Sequence, residues 1–412
     1  MERVVVTGIG AIASLGHNAD ELFANLLRGC SGVDKITQFD ASEHGTQIAA
    51  EVKGFAFDSM FDVKSLKKHD RYSLLAHVAA EEAVRQSGLK ESGFDGERAG
   101  VFVSSGIGGI QTFEATAESF RNRGARGVSA FFISNLIANA AGGNLAIRHG
   151  FKGQNFAMVS ACATGAHCVG EAFRSIRCGD QDIMLAGGSE AAVTPLTIAG
   201  FSNMKAMTRN NENPKTASRP FDRDRDGFVM GEGAGVLVLE SLTHARKRGA
   251  TILAEVCGYG ATCDAHHITA IAPGGEGIAR ASRIALNMAG ANLDEVDYVN
   301  AHGTSTPLGD IYETEFLKNF FGAHARKLWV SSTKSMIGHL LGAAGGVESV
   351  VCVKSILEGA VHPTINLDNP DEQCDLDYVA HEAREKNVRM VLKSSMGFGG
   401  HNAALLFRSF AE

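Results

Sequence analysis

From Ala157 to Gly179 the chain reads AMVSACATGAHCVGEAFRSIRCG. The apolar run over 156–160, FAMVS, predicts a buried strand that ends at Ser160-Ala161-Cys162. Small residues follow at once, and a helical pattern then carries Val169, Ala172, Phe173 and Ile176. Strand, sharp turn and helix thus follow one another with a cysteine at the junction. A side chain there stands at a strand end, facing the unpaired N–H groups of the first helical turn. Those dipoles favour thiolate over thiol, which makes Cys162 a candidate nucleophile. A cysteine among small residues is also an ordinary core residue, and the segment alone leaves both readings open.

Similar units recur along the 412 residues, a length that suits two domains or one large duplicated one. The patterns predict a strand over 3–7, a helix over 71–87, a strand over 99–105 and a small-residue helix over 134–147. Strands over 182–187 and 234–239 and a short helix over 240–248 follow. After Gly249 the pattern begins again: strand 251–259, a His- and Gly-rich loop, helix 278–288, strand 296–300, helix 309–320 and strand 328–331. A small-residue helix over 339–357 and strands over 390–394 and 403–408 close the chain. Near-continuous apolar strands alternating with helices suit two similar buried sheets with helices between and outside, joined near residue 250.

Three motifs carry less than they promise. Gly8-Ile9-Gly10-Ala11-Ile12-Ala13 satisfies the dinucleotide pattern, but Leu15-Gly16-His17-Asn18 delays the helix that should open there. No strand-end acid stands about twenty residues on, so a close backbone approach is the better reading. Asp222, Asp224, Asp226 and Gly227 mimic a calcium loop, yet its twelfth position is Gly233 and not a glutamate. The cluster Cys263-Asp264-x-His266-His267 lacks the spacing of a structural metal site, and no metal is expected.

A net charge of -7 gives no support for nucleic-acid binding. The eight cysteines contain no C-x-x-C pair, which suits a reducing, cytoplasmic compartment. MERVVVTGIG enters a strand directly, without the look of a signal peptide, and no run of 18 uncharged apolar residues predicts a membrane span.

Further strand ends carry chemistry: His302 in NAHGTSTPLGD, Lys334 and His339 in SSTKSMIGHLLGAAGG, and Phe398 in SMGFGG. Neither histidine sits on an apolar helical face. Together with SACATG around Cys162, RPFDRDRDGFVMGEGAG and PTINLDNPDEQCDLDYV, these motifs make the chain resemble the condensing enzymes of the thiolase-like superfamily. It is most similar to the elongating β-ketoacyl-[acyl-carrier-protein] synthases, type II above all, and the likeness spans essentially the whole length.

The resemblance implies an α/β fold, the duplicated α-β-α-β-α layered sandwich, with 1–250 carrying the nucleophile and 251–412 the two histidines and a gating loop. It implies an acyltransferase that works as a homodimer on acyl carrier protein, with no resident cofactor. Catalytic roles fall on Cys162, His302, His339 and Lys334, with Glu348 supporting the lysine and the backbone N–H groups of Cys162 and Phe398 forming an oxyanion hole. Thr304 and Thr306 match residues that bind the pantetheine arm. Ile107, Phe398 and Gly399 match the pocket wall and gate. Lys64, Lys67, Lys68, Arg71 and Lys205 are candidates for docking an acidic carrier, against the alternative of a merely solvated charge run. Met396 and His401 depart from the commoner aromatic residue and threonine. An initiating synthase would have asparagine where His339 stands, a degradative thiolase would need a second catalytic cysteine, and a chain-length partner would lack Cys162. Polyketide-like assembly by the same residues remains the alternative.

Overall fold

The computed structural model describes residues 1–62 and 66–411. In the first half, β1 (Val4–Ile12) leads to α1 (Ala19–Leu27), whose start is fixed by Asn18 accepting from the Glu21 N–H. Then α2 (Arg71–Ser87) begins at Asp70, whose side chain accepts from the Tyr72 N–H. It stops at Gly88, where φ is 67°. There follow β2 (Ala99–Ser104), α3 (Ile110–Arg123), α4 (Ala140–His149), α5 (Thr164–Arg177), β3 (Ile183–Glu190) and β4 (Gly233–Ser241). The second half holds β5 (Ala254–Cys263), α6 (Glu276–Ala289), β6 (Tyr298–Asn300), α7 (Pro307–Phe321), β7 (Trp329–Ser331), α8 (Ala344–Glu358), β8 (Met390–Gly397) and β9 (His401–Arg408).

The nine strands are ordered β2-β3-β4-β1-β5-β9-β8-β6-β7. Pairing is parallel toward both ends (β2 with β3, β8 with β6, β6 with β7) and antiparallel through the middle. The two separate sheets expected from sequence are therefore spliced: Val4, Val5 and Val6 of β1 pair with Val256, Glu255 and Ala254 of β5. Helices α5 and α8 pack on each other and touch strands of both halves, forming a middle layer. Helices α2 and α4 cover the outer face of the first half, and α6 that of the second. The result is the layered α-β-α-β-α sandwich. Every residue of β1, β3 and β4 is buried, as strands covered on both faces must be.

Gly8 and Gly10 lie inside β1, not in a nucleotide-binding turn. A Cβ at Gly8 would stand 2.1 Å from the Ala83 carbonyl oxygen, and one at Gly10 2.0 Å from that of Ala79. The glycines let β1 lie directly against α2. The run 156–160 is not a buried strand. Asn155 alone bridges to Val101, and Phe156 and Val159 are more than half exposed. Met158 packs against the core, while Phe156 leans on Phe102 with its ring centroid 4.4 Å away. The expected helix over 134–147 is broken at Ile137, which is extended, into Phe132–Leu136 and α4. That over 339–357 starts with a separate 3-10 turn at Leu341–Ala343.

Candidate active site

The turn at Cys162 is built by tight backbone contact. Ala161 has φ of 50°, a 3-10 turn covers Ala161–Ala163, and α5 starts at Thr164. Ser160 N–H donates to Thr164 Oγ1 at 2.9 Å. A Cβ on Gly165 would lie 2.6 Å from Gly346 N, so small residues are what allow α5 and α8 to meet here. Cys162 is 7% exposed. Burial pushes its thiol up to about 11, against the pull of the Lys334 charge and the backbone N–H groups of Phe398 and Cys162 itself. The thiolate expected from helix dipoles alone is thus not the resting form, because loss of water outweighs the dipoles.

His302 follows β6. Its backbone N–H and that of Gly303 donate to the two oxygens of buried Glu313, each at 2.7 Å. His339 stands before the 3-10 turn, its N–H held by Val229 O at 2.7 Å. Its Nδ1 accepts from the Leu341 N–H at 3.3 Å, which leaves the proton of the neutral ring on Nε2. The two rings lie 5.4 Å apart and perpendicular. Burial first, and the Lys334 charge second, hold both imidazoles well below their usual range, so both are neutral. Lys334 Nζ pairs with Glu348 Oε1 at 2.5 Å, and both are buried.

Cys162, His302 and His339 open onto one cavity of about 380 Å³. Thr304 and Thr306 line it, with hydroxyls 3.0 Å apart, and Lys205 stands at its wall, exposed and with φ of 57°. Phe398 closes one side, and a ring series runs from it through Phe201 and Phe228 to His339, at 6.2, 5.4 and 5.3 Å. Ile107 and Gly399 are not part of this wall. Ile107 lies on the turn after β2, where its N–H donates to Glu190. Gly399, with φ of 88°, donates to Ile268 O at 2.7 Å. The turn between β8 and β9 is thereby clasped to the loop after β5. Asp264 N–H bonds Gly400 O at 2.8 Å, and Asn402 donates to Asp264 Oδ1 at 2.6 Å.

Among the described residues no group of three or more His, Cys, Asp or Glu could hold a metal. In the calcium-like stretch, Asp222 is occupied by Arg219 and by the N–H groups of Asp224 and Asn369. Of the basic candidates, Lys64 lies outside the described residues. Lys67 and Lys68 are exposed. Arg71 is engaged within the chain, its guanidinium pairing with Glu232 at 2.6 Å and donating to Val52 O. The sequence motifs give no role to Glu190, Glu313, Lys393, Phe201 or Phe228, which the fold brings to or behind the site. Lys393 did carry a signal, a lysine inside the otherwise apolar strand MVLKSSMG.

The family model of the beta-ketoacyl synthase N-terminal domain matches residues 1–245, and that of the C-terminal domain matches 253–368. A 3-oxoacyl-[acyl-carrier-protein] synthase 2 of Staphylococcus aureus (strain N315) is 48% identical over 409 residues, 99% of each chain. One of Coxiella burnetii (strain RSA 493 / Nine Mile phase I) is 47% identical over 404, 98% of each. A beta-ketoacyl synthase from Burkholderia phymatum superposes with a TM-score of 0.93 at 35% identity over the whole of both chains. A type II polyketide-synthase acyl-carrier protein in complex with its ketosynthase bound to the hexaketide gives 0.92 at 34%, covering 99% of this chain and 100% of that one. With a buried cysteine and two neutral histidines on one cavity, and matches across both halves, the chain belongs to the beta-ketoacyl synthase family.

Proposed function

We propose that this chain is an elongating 3-oxoacyl-[acyl-carrier-protein] synthase of the type II kind, extending acyl chains by two carbons in fatty acid biosynthesis. The observation that carries this reading is the convergence of Cys162, His302 and His339 on a single cavity. Cys162 sulfur attacks the acyl thioester, its proton leaves with the departing pantetheine thiol, and the acyl group rests on Cys162. The N–H groups of Cys162 and Phe398 both point at the sulfur, where they also suit the developing oxyanion. Malonyl thioester enters next. Its bond to the carboxylate breaks, carbon dioxide leaves, and the electron pair becomes an enolate. His302 and His339 donate N–H bonds to the enolate oxygen, a task for neutral imidazoles. The enolate carbon attacks the Cys162 thioester, and the expelled thiolate takes up a proton. Lys334, paired with Glu348, stays a fixed charge and not a base.

Thr304 and Thr306 suit hydrogen bonding to the pantetheine arm from the cavity wall. Phe398, between glycines, suits a gate. Lys205, Lys67 and Lys68 serve an acidic acyl carrier protein. No resident cofactor is required, since the phosphopantetheine arrives on the carrier. A second copy suits the exposed apolar residues Phe113, Phe120, Ile133, Phe156 and Val159 beside the sparsely paired 154–160 edge, giving a homodimer. Eight free cysteines suit a cytoplasmic setting, and among the described residues no helix is long and apolar enough to cross a membrane. The mirrored strand pairing supports reading 1–250 and 251–412 as duplicated halves.

Incubation with acyl-carrier protein, followed by peptide mass spectrometry, tests the assignment. The acyl adduct is expected on Cys162 and absent from Cys162→Ala. An adduct on another residue overturns the mechanism.

A further inference from the structure

Two lysines, not one, are buried behind the histidines. Lys393 on β8 is fully buried. Its ammonium lies 2.8 Å from Glu348 Oε2, while Lys334 takes Oε1 of the same carboxylate. Lys393 also donates to Ser394 O and, at 2.9 Å, to Ser395 Oγ. An ammonium at such depth persists only where partners replace its water, and here all of them are supplied by β8 and α8. The proposed mechanism gives Lys393 no task.

The surroundings make a closed set of charges. Glu348 and Cys352 face it from α8, Lys334 from the segment after β7, and Tyr298 and His362 flank Glu348. Glu313 of α7 accepts from the Ser394 hydroxyl at 2.8 Å as well as from the His302 N–H. One carboxylate is therefore divided between two ammoniums, and the second, which also faces Lys334, takes backbone N–H groups and the Ser394 hydroxyl. Lys334 faces the histidines less neutralised than it would be in a private pair with Glu348.

We propose that Lys393 is a positioning residue of the condensation centre: by sharing Glu348 with Lys334, it fixes two buried positive charges behind His302 and His339. The inference deepens the reading of those histidines as neutral donors and rests on it. The charge acts twice. It disfavours imidazolium, and the Lys393 charge does lie among the causes that hold both rings below their usual range. It also favours negative charge gathering on the enolate oxygen in a water-poor site. A lysine that merely pinned the end of β8 to α8 would do neither.

The experiment compares Lys393→Met, Lys393→Gln and Lys393→Arg in the full chain. Carbon dioxide release from malonyl-carrier protein is followed from pH 4.5 to 8, with thermal melts alongside. The two neutral variants should move the acid limb of the rate profile up by about one pH unit. That lowers the rate at the foot of the limb about tenfold relative to the plateau. Lys393→Arg, which keeps the charge, should hold the parental limb. A parental pH profile in all three variants, with loss confined to melting temperature or to a uniform fall in rate, overturns the proposal in favour of a structural pin. If the neutral variants do not fold, the arginine variant decides: a displaced acid limb despite retained charge is equally contrary. His302→Ala is run in parallel. Parental decarboxylation there defeats the reading of the histidines and the inference with it, whereas loss there with unmoved Lys393 profiles defeats the inference alone.

Discussion

Helices α5 and α8 begin in the same way and end up with opposite tasks. Each is entered through a 3-10 turn that opens on a non-glycine residue in the left-handed region, Ala161 at 50° and Leu341 at 48°. Counted from those residues, Gly342 takes the place of Cys162. The first-turn N–H of Gly342 is filled by a carboxylate from the other half, Glu190, at 3.0 Å. The turn at Cys162 instead faces a cation from the other half, Lys334, and its Cys162 N–H points at the thiol sulfur. A helix start is a ready anion site in both copies. The two starts thus differ in the charge that the opposite half sends across.

If that contrast is right, the largest effect comes from the side chains found on one copy only. His302→Ala or His339→Ala should slow decarboxylation by about 10²–10³-fold, as loss of one oxyanion donor does elsewhere. Acylation of Cys162 should continue. Carbon dioxide release and adduct mass, measured on the same sample, check both halves of the statement. Equal loss of the two steps would mean that the histidines serve the nucleophile and not the enolate.

Gly342→Cys asks whether backbone geometry alone makes a nucleophile. The new Cβ would lie 2.3 Å from Gly106 N and 2.7 Å from Glu190 Oε2. Overpacking should cost about 1–3 kcal/mol, seen as a lower denaturation midpoint, and no second acyl group should load. A stable variant carrying two acyl groups would break the comparison. Cys162 itself is open to titration. With its thiol pushed up to about 11 by burial, the thiolate fraction rises about tenfold per pH unit below that value. Alkylation by iodoacetamide should climb across pH 7 to 10 without a plateau. Levelling off near pH 8 would mean that Lys334 and the helix start outweigh desolvation after all.

The groups that meet at the two helix starts also differ in how much the sequence discloses. The turn at Cys162, both histidines and Lys334 stand out because glycines and small residues surround them at strand ends, away from any helical stripe. Glu190 does not, since an acid at the end of an apolar strand looks the same whether it meets solvent or a buried helix start. The splice of β1 to β5 is equally silent, because a strand paired on one edge and one paired on both share the same apolar pattern. The run 156–160 misleads for a related reason: apolarity reports that a surface wants cover, not that its own chain provides it. The resemblance supplies the layered fold at once, yet it points to Arg71 as a docking group, and only the ion pair with Glu232 shows that this guanidinium is engaged.

The smallest effect probes the copy without a nucleophile. Glu190 accepts from Ser105 Oγ, from the N–H groups of Gly106 and Ile107, and from that of Gly342. Burial nevertheless pushes its carboxyl up to about 7. A carboxyl raised by folding stabilises the native state fully below its unfolded value, and that contribution fades as pH rises through about 7. Glu190→Gln removes the titration and turns an amide toward N–H donors, costing about 1–2 kcal/mol. Its deficit in melting temperature against the parent should therefore shrink between pH 5 and pH 8. A deficit that stays level from pH 5 to pH 8 would mean that the four donors keep the carboxylate ionised in the fold. The start of α8 would then hold a permanent anion, and the contrast with the cation-facing start of α5 would be sharper than burial allows.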